Sequence, residues 1–144
     1  MRKEKDFQKE IFQSLRTLPG PKFYWKLRDD GLIQPFDAIL LYAQTFTAIE
    51  YKIAKAKRSL NLASLFKGRE HQLHSLKRVR EAGGKALILI NAFIPRELNV
   101  CFYLDPAYYD FLEPEKTMTL RRALEVIPYV GEENGDWPLN KIFR

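Results

Sequence analysis

Two apolar runs only three residues apart constrain this chain more than any other feature. Pro35-Phe36-Asp37-Ala38-Ile39-Leu40-Leu41-Tyr42 and Phe46-Thr47-Ala48-Ile49-Glu50-Tyr51-Lys52-Ile53 are rich in aromatic and β-branched residues, with Ala43, Gln44 and Thr45 between them. This pattern predicts an antiparallel hairpin. Each run also carries charge where a buried strand should have none: Asp37 in the first, Glu50 and Lys52 in the second. Burying an unpaired charge is expensive, so these three residues need a reason to be there.

Side chains alternate along a strand, which puts Glu50 and Lys52 on one face and Ile49, Tyr51 and Ile53 on the other. A turn centred between Ala43 and Gln44 sets Asp37 opposite Glu50, and one centred between Gln44 and Thr45 sets it opposite Lys52. A turn centred on Gln44 itself sets Asp37 opposite Tyr51, and the sequence leaves the three registers open. Two carboxylates and an ammonium at one end of a hairpin suit a hard divalent cation such as Mg²⁺, which keeps several waters and is completed by phosphate oxygens. The neighbouring lysine can orient a hydroxide or stabilise charge developing on a phosphoryl group. The plain alternative is a Glu50–Lys52 salt bridge with Asp37 as a strand-start cap; the apolar surroundings favour the site.

Phe36-Asp37, followed thirteen positions on by Glu50-Tyr51-Lys52, resembles the PD-(D/E)XK nuclease signature. The continuation, Gly68-Arg69-Glu70-His71-Gln72-Leu73-His74-Ser75-Leu76 and then Ala82-Gly83-Gly84-Lys85-Ala86-Leu87-Ile88-Leu89-Ile90, is similar to RecU-type Holliday-junction resolvases over residues 35 to 93. The resemblance implies an α/β fold with a central mixed β-sheet flanked by helices, a restriction-endonuclease-like core. It implies that Asp37 and Glu50 bind Mg²⁺, or Mn²⁺ in its place, with the Tyr51 carbonyl, and that Lys52 serves the attacking water. It further implies that Gln72 stands beside the metal and that the first helix adds a glutamate, for which Glu10 is the first candidate and Glu4 the second. One alignment of that helix puts Gln8 at the acidic position. Branched DNA and a symmetric homodimer, needed to cut two opposed strands, are implied in the same way.

Charge is distributed to match. Residues 1 to 80 hold 17 Lys and Arg against 8 Asp and Glu, a net +9, while residues 81 to 144 hold 7 against 10, a net −3. The basic half carries the candidate site. Lys55, Lys57, Arg58, Lys67 and Arg69 follow the hairpin and Lys77 lies on the next helix, a distribution suited to a phosphate backbone; a solvated basic face is the alternative. Phe23, Tyr24 and Trp25, interleaved with Lys22 and Lys26, can stack on unpaired bases or fill the edge of a small sheet.

Other chemistries fit poorly. The single cysteine, Cys101, lies in an apolar run and reads as a buried structural thiol. His71 and His74 lack a third ligand for structural zinc and read as surface or DNA-contacting residues. Gly83-Gly84 follows a helix rather than a strand, and no G-x-S-x-G elbow is present. The first residues have no apolar signal core and no apolar run approaches bilayer length, so a cytoplasmic protein is expected.

At 144 residues the chain suits one domain, a core over about 3–104 with a helical extension over 105–144. Periodicity predicts a helix over residues 3 to 18, a strand over 22 to 27, a turn at Arg28-Asp29-Asp30-Gly31, then the hairpin. An irregular basic loop over 54 to 68, with a helical turn at 60 to 66, is expected to lead to a helix over 70 to 82. Strands over 86 to 91 and 100 to 104 and short helices over 106 to 112 and 119 to 126 complete the expectation, with strand, helix, strand making a parallel crossover. Within enzymes the alternative is a restriction-like or repair nuclease on linear or damaged DNA. Outside them stand a non-catalytic DNA-binding module that retains the fold and a basic interaction protein.

Overall fold

A computed structural model describes residues 2–28, 33–55 and 57–144. The expected turn at Arg28-Asp29-Asp30-Gly31 lies outside the described residues beyond Arg28. A helix, α1 (Glu4–Gln13), extended by a 3₁₀ turn over Ser14–Thr17, leads into strand β1 (Lys22–Lys26). The hairpin follows as β2 (Ala38–Tyr42) and β3 (Thr45–Ile53), then a short β4 (Ser59–Asn61) and helix α2 (Glu70–Glu81). Strands β5 (Lys85–Ile94) and β6 (Leu98–Leu104) precede α3 (Pro106–Leu112), β7 (Thr117–Thr119), α4 (Leu120–Val126) and β8 (Tyr129–Gly131).

Six strands form one mixed sheet in the order β1-β2-β3-β5-β6-β8, in which only the β3–β5 pair is parallel. That pair is joined through α2, because parallel neighbours need a crossover rather than a tight turn. Alternation then sorts the core onto two faces. Ile49, Tyr51, Leu89 and Cys101 pack with Phe7 and Ile11 of α1 and with Trp137, Leu139, Ile142 and Phe143 of the C-terminal segment. Ala48, Ile88, Ile90 and Phe102 pack on the other side with Leu76 of α2, Tyr109 of α3 and Ala123 of α4. Helices therefore flank the sheet on both faces. Cys101 is fully enclosed, and burial pushes its thiol up.

Several elements differ from the sequence expectation. Ser59–Asn61 is a strand rather than loop, because it pairs antiparallel with β7 in a separate two-stranded sheet. The segment after residue 104 holds the two expected helices but also β7, β8 and the buried Trp137, whose ring meets Phe7 edge-on at 5.9 Å. The first helix ends at Gln13, where its last turn tightens to 3₁₀ geometry.

The hairpin register is Ala38 opposite Ile49 and Tyr42 opposite Thr45, so the turn is centred between Ala43 and Gln44. Both turn residues have positive φ, 52° and 61°, as a two-residue I′ turn requires. At the far end of α2, Gly83 takes φ +101° and stops the helix, and Gly84 sits where an added Cβ would come within 2.9 Å of Val79 Cγ1. Close packing of β5 under α2 thus depends on that missing side chain.

Candidate metal and phosphodiester site

Continued one residue past Ala38–Ile49, the hairpin register brings Asp37 opposite Glu50. Here β2 is already leaving β3: the Asp37 N–H donates to the Ile49 carbonyl (3.0 Å), and Asp37 Oδ2 accepts from the Tyr51 N–H (2.8 Å). Asp37 is fixed by the neighbouring strand's backbone and by Gln34, whose Nε2 donates to Oδ1 at 3.3 Å. Glu50 is almost completely enclosed, with 1% of its surface exposed, and its Oε1 has no hydrogen-bond partner.

Lys52, two residues along and on the same face, reaches back into this group. Its Nζ lies 3.4 Å from Glu50 Oε2, donates to Gln72 Oε1 at 3.2 Å, and stands 4.8 Å from the centre of the Phe66 ring. Gln72 comes from the first turn of α2 and is buried, so the helix that makes the parallel crossover also holds the lysine in place. Glu4, at the start of α1, stands in the field of Asp37, Lys52, Arg69 and Lys55. Burial first, and Asp37 second, raise its pKa.

The electrostatics expose what this cluster lacks. Burial, then the adjacent Asp37 carboxylate, push the Glu50 pKa up to about 9. The Lys52 ammonium pulls the other way, but a single cation at ion-pair distance does not offset desolvation plus a second carboxylate. Glu50 therefore holds its proton near neutral pH until positive charge arrives. An orphaned buried carboxylate oxygen beside a second carboxylate fits a hard cation. Among the described residues no three His, Cys, Asp or Glu side chains gather to hold a metal. Mg²⁺ needs one or two carboxylates with water and phosphate completing its shell, which Asp37 and Glu50 can offer.

The structure does not bring Glu10 to this group. Arg2 clamps its carboxylate through Nη1 (2.9 Å) and Nη2 (2.6 Å), and Trp137 Nε1 donates to it at 3.1 Å. On a helix, Glu10 lies about 120° round the axis from Glu4, on the opposite flank of the Phe7–Ile11 stripe. Helical spacing separates the two glutamates, and the fold sets Glu4 in the field of Asp37, with Gln8 one turn on and its Nε2 3.4 Å from Glu4 Oε1. The Tyr51 side chain points to the other face, where its hydroxyl meets that of Tyr24 at 2.9 Å. Gln34 carries no motif that sequence reading recognises, and the aromatic run around Tyr24 does not reveal that its hydroxyl meets that of Tyr51; only the fold shows both.

Of the basic residues that follow the hairpin, Lys55 and Arg69 act on Glu4 through their charge, and both are exposed. Lys57 and Lys67 are exposed on the segment between β3 and α2. Arg58 pairs with Glu97 at 2.9 Å and Lys77 with Asp110 at 2.7 Å, surface contacts that a phosphate backbone would have to displace. His71 and His74 are exposed on α2. Among the described residues no helix is long and apolar enough to cross a membrane.

No protein-family model and no curated protein matches the chain. Among solved structures, the chain is similar to Archaeoglobus fulgidus Hjc, a Holliday junction resolvase from an archaeal hyperthermophile. Identity is 17%, the TM-score is 0.42, and the match covers 72% of this chain and 70% of the other.

Proposed function

We propose that this protein is a Mg²⁺-dependent endonuclease that hydrolyses phosphodiester bonds in branched DNA. The observation that carries the reading is the cluster of buried Asp37 and Glu50 with half-buried Lys52 at the open end of the hairpin, Gln72 holding the lysine and one Glu50 oxygen left without a partner. A structural ion pair needs neither the second carboxylate nor the orphaned oxygen. Asp37 and Glu50, with the Tyr51 carbonyl, would hold the cation. Bound there, Mg²⁺ would polarise a phosphoryl oxygen and acidify a water.

The chain's own groups do the rest. Gln34 and the Tyr51 N–H keep the Asp37 carboxylate aimed before substrate arrives. Gln72 and Phe66 hold Lys52 Nζ where it can orient the attacking water and face the negative charge that builds on the phosphoryl oxygens. Exposed Lys55 and Arg69, in the field of Glu4, and exposed Lys57 and Lys67 on the segment before α2 supply phosphate contacts. Branched DNA as the substrate, and a homodimer that cuts opposed strands, follow from the resemblance to RecU-type resolvases in the Asp37…Glu50-Tyr51-Lys52 and Gln72 regions.

The test uses purified protein with end-labelled four-way junction, flap, linear duplex and single strand, each with Mg²⁺ or EDTA. Cleavage of the junction or flap that needs Mg²⁺ and disappears in Asp37→Ala supports the proposal. Cutting of linear duplex alone moves the substrate to a restriction-like or repair activity. Salt-sensitive binding without any cutting leaves a DNA-binding module.

A further inference from the structure

Beside the candidate site, between α1 and the edge strand β1, runs a groove of ≈ 380 Å³. Lys5, Gln8, Lys9 and Phe12 line it from the helix, and Tyr24, Trp25 and Lys26 from the strand. Alternation turns Trp25 toward Phe23 on the far face, where the two rings stack, so the rings left to the groove are Phe12 and Tyr24, 5.6 Å apart. Phe12 is 57% exposed, far more than a helix residue facing a sheet should be if it served only the core.

Three features of the groove ask for a ligand. Lys5, Lys9 and Lys26 have no ion-pair partner among the described residues, which leaves three ammonium groups around one cavity. Gln8 is buried, and its Oε1 accepts no hydrogen bond. The groove also shares a wall with the catalytic group: Gln8 bonds Glu4, and the Tyr24 hydroxyl bonds that of Tyr51, whose N–H holds Asp37. Cations alone would suit any phosphate backbone. An open ring, a buried acceptor wanting an N–H, and a cavity of small-ligand size suit a flat heterocycle joined to phosphates. Bases stacked inside a duplex cannot enter such a cavity.

We propose that the α1–β1 groove is a subsite for an unpaired nucleotide of the DNA strand being cut. This rests on the nuclease reading. The base would stack on Phe12, with an N–H donated to Gln8 Oε1, while Lys5, Lys9 and Lys26 meet the flanking phosphates. Selection of branched over fully paired DNA then begins at this groove, because only a branch, flap or frayed end offers a base to fill it.

The full chain in EDTA is titrated with a labelled duplex carrying a short single-stranded flap and with the same duplex fully paired. Phe12→Ala should weaken flap binding about tenfold and leave duplex binding unchanged. Lys5→Gln/Lys9→Gln should lower the salt slope for the flap by about 1.4, and 5-iododeoxyuridine in the flap should photo-crosslink to Phe12 or Tyr24. Equal loss on both DNAs, no loss on either, or crosslinks confined to Phe23 and Trp25 would overturn the proposal. A Phe12→Ala protein whose sedimenting mass falls while flap binding persists would assign the groove to a second copy of the chain instead. Wild-type protein that cuts branched DNA while Phe12→Ala binds the flap normally sinks the groove proposal alone. Wild-type protein that binds neither DNA sinks the nuclease reading with it.

Discussion

Replacing Glu50 by glutamine should make the metal-free protein more stable while abolishing its response to Mg²⁺. Glu50 is enclosed beside Asp37, and its folded pKa is raised from 4.5 to about 9. At pH 7 the folded protein keeps the proton that the unfolded chain releases. For a group raised in this direction, the stabilising contribution is whole below the unfolded pKa and is lost as pH climbs toward the folded one. Between 4.5 and pH 7 the loss is about 1.36 kcal/mol per unit, or roughly 3 kcal/mol in all. This figure holds for any folded pKa well above 7. Glutamine keeps the shape but has no proton to lose on unfolding, so Glu50→Gln escapes the penalty. Because the folded protein already holds Glu50 neutral, the glutamine forfeits no charge pairing with Lys52 Nζ, 3.4 Å away, and the net gain at pH 7 is roughly 3 kcal/mol. Urea unfolding in EDTA from pH 5 to 8 should show the variant's advantage growing by about 1.4 kcal/mol per pH unit. An advantage that does not change with pH, or a variant less stable than wild type at pH 7, would mean that Glu50 is ionised in the folded protein and satisfied by Lys52. The reasoning for a metal site would then fail.

Four further outcomes are expected. Mg²⁺ binding at pH 7 should release about one proton from Glu50, seen by calorimetry in buffers of differing ionisation enthalpy, and release should vanish in Glu50→Gln. Glu10→Gln should cost about 1–2 kcal/mol of stability through the Arg2 and Trp137 contacts and leave DNA cleavage intact; a cleavage defect without a stability loss would return Glu10 to the site. Gly84→Ala should destabilise by about 1–3 kcal/mol, because the new methyl group meets Val79 and Phe46 at 2.9 and 3.2 Å. Ala43→Asn/Gln44→Gly should stabilise by about 1–2 kcal/mol, since both residues are held at positive φ, and thermal melts would show the gain.

That last pair also explains why the register could not be read in advance. An Asn-Gly dipeptide would have announced an I′ turn, but Ala43-Gln44 adopts the same geometry with residues that resist it. The tight fit of the flanking strands, with Leu40 and Ile49 in the core, overrides the local preference. Long periodic segments were legible: Phe7 and Ile11 set the face of α1, and Gly83-Gly84 ended α2. Pairings between segments distant in sequence were not. Ser59–Asn61 becomes a strand only because Thr117–Thr119 lies against it, and three residues carry too little pattern to predict either. The same limit applies to the site. Asp37, Glu50 and Lys52 betray themselves as charges in apolar runs, while nothing local ranks Glu4 above Glu10 or marks Gln34 until the fold sets them near or against Asp37.

The central claim is that Lys52 and the two carboxylates act on a phosphodiester bond rather than on one another. Single-turnover cleavage of a labelled four-way junction in Mg²⁺, for wild type and Lys52→Ala, tests it most directly. Loss of a preorganised cationic group facing the developing charge should slow cutting by about 10²–10³-fold, with junction binding in EDTA preserved. A Lys52→Ala protein that cuts at the wild-type rate, or wild-type protein that cuts equally well in EDTA, would contradict it.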